Sequence, residues 1–119
     1  METIKAYTNL SQSKTLSKIL PLKSADMFYI AGRGEPIFIG NKMVACGEDD
    51  YDCLGGPDVL CWSLAALLNM IPNYKLSSEH NYHTCTAETS FGKETVAWFD
   101  NPVDACVAMI ERLYKLNLL

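Results

Sequence analysis

The longest apolar run in the chain covers residues 58–72, and its spacing predicts a buried helix. Cys61, Leu64, Ala65 and Leu68 recur at i, i+3, i+4 and i+7, while Leu60, Leu67 and Ile71 widen the stripe to most of the circumference. A helix apolar on so many sides belongs at the centre of a domain. Gly55, Gly56 and Pro57 break whatever precedes it, Asp58 is placed to accept bonds from its first free amides, and Pro72 cannot continue it. At ~1.5 Å per residue this helix is roughly 20 Å long, too short to cross a membrane.

Shorter patterns flank it. In residues 11–21, Leu16, Ile19 and Leu20 share one helical edge, Ser11 or Ser13 can cap the start, and Pro21 marks the end. Residues 27–30 and 36–39 are aromatic and β-branched runs separated by Gly32-Arg33-Gly34-Glu35, which predicts a hairpin. Gly40-Asn41 permits a second reversal into a strand over 43–46. Residues 47–57 are acidic and glycine-rich and are read as a surface loop. Strands are expected over 74–77, 82–89 and 94–99, with Ser90-Phe91-Gly92-Lys93 turning between the last two. The final helix has the clearest start: Asn101 caps it, Pro102 occupies the first helical position, and Asp104 puts a carboxylate in the positive first turn. Val103, Cys106, Val107, Ile110, Leu113 and Tyr114 then form one apolar stripe.

Strands that follow one another through short turns pair antiparallel, so the order predicts an α+β fold. It is an antiparallel sheet of four to six short strands with three helices, in the order α-ββ(β)-α-ββ(β)-α, packed mainly on one face. Residues 1–119 form a single domain in this reading, with residues 1–9 a loosely ordered or edge segment. Composition agrees: of 119 residues, 49% are apolar and 20% charged, and a chain of this length buries about two thirds of its unfolded surface without needing disulfides or a metal. The first residues carry no basic cluster followed by an apolar run, so no secretory signal is expected. Five cysteines, an odd number, fit a reducing compartment, which places the protein in the cytoplasm. A net charge of -4 and scattered basic residues argue against a nucleic-acid partner.

Three segments carry a family likeness: residues 13–27 (Ser13-Lys14-Thr15-Leu16 through Ala25-Asp26-Met27), 61–68 (Cys61-Trp62-Ser63-Leu64-Ala65-Ala66-Leu67-Leu68) and 100–119 (from Asp100-Asn101-Pro102-Val103-Asp104). They resemble a family of short uncharacterised proteins from gut Bacteroidetes, often found in prophage or other mobile-element regions. The resemblance implies a genomic setting and brings no catalytic or binding residues with it.

Candidate chemistry is sparse. The nearest approach to a ligand cluster is His80-Asn81-Tyr82-His83-Thr84-Cys85. On a strand His83 and Cys85 share a face and His80 takes the other, so the segment supplies two metal ligands, and Cys46 or Cys53 would have to complete a zinc site. Cys85 beside His83 is also the one candidate nucleophile–base pair. A small zinc- or cysteine-dependent enzyme, or a zinc-stabilised domain, using these two residues is the alternative reading. The preferred reading has no cofactor and no catalytic residue. Glu48, Asp49, Asp50 and Asp52 form a solvated acidic run with Tyr51 inside it, which pairs negative charge with an aromatic anchor, and Tyr82 is a second aromatic candidate. The competing structural role for Tyr51 and Tyr82 is to cover the domain's own core edge. The expectation is therefore a non-enzymatic protein-binding accessory factor of a phage or mobile element. Its partner would be a host or cognate protein, with no nucleic acid and no membrane involved. The chain would be a monomer or a weak homodimer, with apolar Leu116-Asn117-Leu118-Leu119 as a place for a second copy to pack.

Overall fold

A computed structural model of the chain describes residues 5–29, 35–38 and 59–119. In chain order these contain α1 (Leu10–Leu16), a 3-10 turn (Leu22–Ser24), β1 (Met27–Tyr29), β2 (Pro36–Phe38), β3 (Val59–Cys61), α2 (Leu64–Asn69), β4 (Lys75–Glu79), β5 (Tyr82–Thr89), β6 (Gly92–Phe99) and α3 (Pro102–Lys115). The fold is α+β with antiparallel strands, as the pattern predicts. The strands divide into two sheets of three, in the orders β2-β1-β3 and β4-β5-β6. The strand expected over 43–46 and the acidic loop over 47–57 lie outside the described residues.

The largest departure from the sequence reading is in the central apolar run. Val59–Cys61 form a strand against β1, with Met27 opposite Cys61 and Tyr29 opposite Val59, and the helix begins only at Leu64. A continuous apolar run does not distinguish a buried strand from a buried helix by periodicity, and here the β1 edge claims its first three residues. Ser63 supplies the cap in place of Asp58: its hydroxyl accepts the Ala66 amide at 3.2 Å, while its own N–H donates to Asp26 at 2.9 Å and its hydroxyl to the other Asp26 oxygen. The buried face also differs, since Ala66 and Leu67 point inward and Ala65 is exposed. In α1 the cap is Asn9, two residues ahead of Ser11 and four ahead of Ser13. Its side chain takes the Gln12 amide at 2.8 Å and Gln12 returns a bond to the Asn9 amide at 3.1 Å, a reciprocal capping box.

The core gathers on α3. Val103, Ala105, Cys106, Val107, Met109, Ile110 and Leu113 are buried there, against Cys85 and Ala87 of β5 and the half-buried Val96 and Phe99 of β6. Each fully buried Val, Leu or Ile contributes about 1.5–3 kcal/mol over leaving it in water. Tyr114, assigned to the apolar stripe, is half exposed instead. Leu118 packs on the core and its amide bonds Leu113 O at 2.8 Å, while Leu116 and Leu119 remain partly exposed.

The segment from Lys5 onward is tied down at two places. Tyr7 bridges antiparallel to Ser63, and Thr8 is fully buried with every polar atom engaged. Thr8 N–H donates to Trp62 O at 3.0 Å, its hydroxyl lies 2.8 Å from that of Ser13, and its carbonyl accepts the Tyr29 hydroxyl at 2.7 Å. Burial, aided by the neighbouring Cys61 and Tyr7, pushes the Tyr29 phenol up to about 12, so it remains a donor. The second tie is Asp104 on the first turn of α3, which accepts from Lys5 at 2.7 Å, Gln12 at 2.8 Å and Asn101 at 2.8 Å. Among the described residues no helix is long and apolar enough to cross a membrane.

Candidate functional site

Alternation along β5 splits its side chains between two environments. Cys85 and Ala87 face α3 and are buried, whereas Tyr82, Thr84, Thr86 and Glu88 face the other way, and no helix among the described residues covers that side. Cross-strand register places Lys75, Ser77 and Glu79 of β4 and Lys93 and Thr95 of β6 on the same outer face. It is a polar, threonine-rich surface, with Thr86 and Thr95 hydroxyls 3.2 Å apart.

Two backbone features build an aromatic shelf at one end of it. Glu79 pairs with Tyr82 across a two-residue turn in which His80 and Asn81 both have positive φ, 50° and 68°, the arrangement that matches the twist of a tight hairpin. This fixes Tyr82 at the first position of β5, where the sequence pattern starts that strand, and leaves His80 in the turn. Opposite it, β6 is irregular. Phe99 pairs with His83 and Val96 with Cys85, so Ala97 and Trp98 together face the single residue Thr84. At this bulge Trp98 adopts φ 73°, a left-handed conformation that costs a residue with a β-carbon about 1–2 kcal/mol. Its side chain swings to the outer face, 78% exposed, where its ring lies 6.2 Å from that of Tyr82 at an interplanar angle of 33°.

Tyr82 and Trp98, with Glu79, His80 and Thr84, line a depression of about 370 Å³. Among the described residues no lysine or arginine lines it, and the His80 imidazole sits 3.7 Å from the Glu79 carboxylate. A larger hollow of about 600 Å³ at the opposite end of the sheet involves Pro72, Asn73 and the β5–β6 turn. Among the described residues that line it, the two charged ones, Glu88 and Lys93, lie 3.7 Å from each other, and none is aromatic. The shelf is thus the better-formed contact surface: flat aromatic area, an accessible carboxylate and hydroxyls on a rigid sheet.

The sequence candidates are dispersed. Glu48, Asp49, Asp50, Tyr51 and Asp52 lie outside the described residues. Tyr82 is on the shelf, 49% exposed. His83 and Cys85 share the inner face of β5 as alternation requires, but Cys85 is fully buried, a free thiol in the same core cluster as the free thiol of Cys106 on α3. Interaction with Cys85 and burial push the Cys106 thiol above its ordinary range. Among the described residues, no three His, Cys, Asp or Glu side chains come together as metal ligands. Cys61 likewise faces inward, its thiol raised by burial against the opposing bonds of Thr8 and Ser13.

Trp98 was not singled out by the sequence reading. Period-2 alternation sets it beside Val96 on the inner face, and only the bulge turns it outward. The one available signal is local: in Ala97-Trp98-Phe99 two large aromatics are adjacent, and a regular strand can bury only one of them on a given face. No protein-family model, no curated protein and no solved structure matches the chain.

Proposed function

We propose that this is a non-enzymatic protein-binding factor, acting in the cytoplasm for a phage or mobile element, and that it meets its host or cognate protein partner through the Tyr82–Trp98 shelf. The mobile-element setting rests on the resemblance carried by residues 13–27, 61–68 and 100–119. The binding role rests on one observation. The fold holds Trp98 in a left-handed conformation that disfavours it and leaves the ring in water, so neither burial nor backbone preference accounts for a tryptophan there. Tryptophan and tyrosine are the side chains that most often anchor interfaces, each contributing about 2 kcal/mol or more when buried against a partner. Locally unfavourable choices of this kind concentrate at functional sites.

The test is site-specific photo-crosslinking in host cells from a reactive residue placed at Thr84, which lines the depression. One dominant protein adduct is expected, reduced about tenfold by Trp98→Asn, since removing a central aromatic anchor costs at least that factor. Asparagine tolerates the left-handed backbone, so the variant keeps the bulge. No adduct, or an adduct indifferent to both Trp98→Asn and Tyr82→Ala, would remove the shelf from this role.

A further inference from the structure

The β4-β5-β6 sheet has two edges, and they are unlike. The β6 edge is blunted by the bulge at Ala97–Trp98, which interrupts the ladder and increases the local twist. β4 has no such device. Its five residues pair with β5 in unbroken register from Lys75–Thr86 to Glu79–Tyr82, it contains neither proline nor glycine, and among the described residues no strand lies on its free side. Regular exposed edges of this kind are templates for another strand.

The residues along it say which strand fits. Lys75 and Glu79 lie on the outer face with Ser77 midway between them. We propose that the chain forms a symmetric dimer in which β4 pairs antiparallel with β4 of a second copy about a two-fold axis through Ser77. In that register Lys75 of each copy stands opposite Glu79 of the other, so two opposite-charge pairs form at once. A parallel alignment would instead set lysine against lysine. Lys75 is available for this, since it makes no ion pair among the described residues, and the one ion-pair partner of Glu79 among them is His80, at 3.7 Å. The backbone is also suited. Glu79 and Tyr82 flank a two-residue turn and bond each other, so the amides and carbonyls of Leu76 and Ser78 face away from β5 and pair reciprocally with those of the second copy. The product is one continuous sheet of six strands, the α3 helices on one side and both Tyr82–Trp98 shelves on the other. This pairing does not depend on the shelf having a partner.

Sedimentation equilibrium on the full chain tests it by charge exchange. Lys75→Glu and Glu79→Lys should each weaken dimerisation about tenfold, because each turns two attractive cross-strand pairs into repulsive ones. Combining them restores opposite charges in the same register and should bring the dissociation constant back to within about twofold of the starting protein. Far-ultraviolet circular dichroism of the single variants that matches the starting protein confirms that the fold is retained, since a thermal midpoint would itself fall as the dimer weakens. A chain that stays monomeric at every accessible concentration overturns the proposal. So does a dimer that neither single substitution weakens, or one that both weaken and the double exchange fails to restore.

Discussion

The two tryptophans of this chain occupy opposite situations. Trp62, between β3 and α2, is wholly buried; its indole N–H donates to Ser24 at 3.0 Å and its backbone N–H to the Thr8 hydroxyl at 3.2 Å. Trp98, on the bulge of β6, is mostly exposed in a backbone conformation that disfavours it. The first joins the N-terminal segment, the 3-10 turn and α2 around one ring, with its polar groups satisfied as a buried aromatic requires. Among the described residues the second has one ring contact, with Tyr82. The difference separates a ring that the fold encloses from one that it leaves exposed.

The largest effect should come from the buried ring. Trp62→Ala removes a fully enclosed side chain and orphans the Ser24 contact, so denaturant unfolding should show a loss of about 3–5 kcal/mol. A loss below about 1 kcal/mol would mean that the site collapses around the change and that the contrast with Trp98 is overstated.

A smaller effect concerns the clamp that holds the N-terminal segment against α3. Burial pushes the Asp104 carboxyl up, but bonds from Lys5, Gln12 and Asn101 and the Lys5 charge outweigh it, leaving the group below its ordinary value. A carboxyl lowered by folding stabilises above its unfolded value, 3.8 here, and the contribution disappears as pH falls through the lower folded value. Asp104→Asn should therefore cost about 1 kcal/mol at neutral pH, and its deficit relative to the starting protein should shrink below pH 3.8. A deficit that is the same at acid and neutral pH would assign the loss to packing instead of charge.

Much of this architecture was legible in the residues. Asn101-Pro102 and Asp104 mark α3 because a cap, a preset φ and a first-turn carboxylate act locally, and the alternation of 82–89 marks β5 because one face is buried along its length. What was not legible depends on partners distant in sequence. Val59–Cys61 become a strand only because β1 offers an edge, and Ser63 becomes a cap only because Asp26 is there to fix it. The shelf was half legible: Tyr82 follows from a turn and alternation, whereas Trp98 needs a bulge whose position is set by competition between Trp98 and Phe99 for the inner face. The acidic run Glu48–Asp52 lies outside the described residues.

The smallest expected effect is the most telling. Trp98→Gly relieves the left-handed strain, worth about 1–2 kcal/mol. Against that it gives up the ring contact with Tyr82 and adds backbone freedom to the unfolded chain, each about 0.5–1.5 kcal/mol. The urea unfolding midpoint of Trp98→Gly, set beside that of Trp62→Ala, is therefore the most direct measurement. A binding role predicts stability within about 1 kcal/mol of the starting protein, because the terms nearly cancel. A loss of about 2 kcal/mol or more would show that Trp98 holds the sheet together and would contradict its assignment as a contact residue.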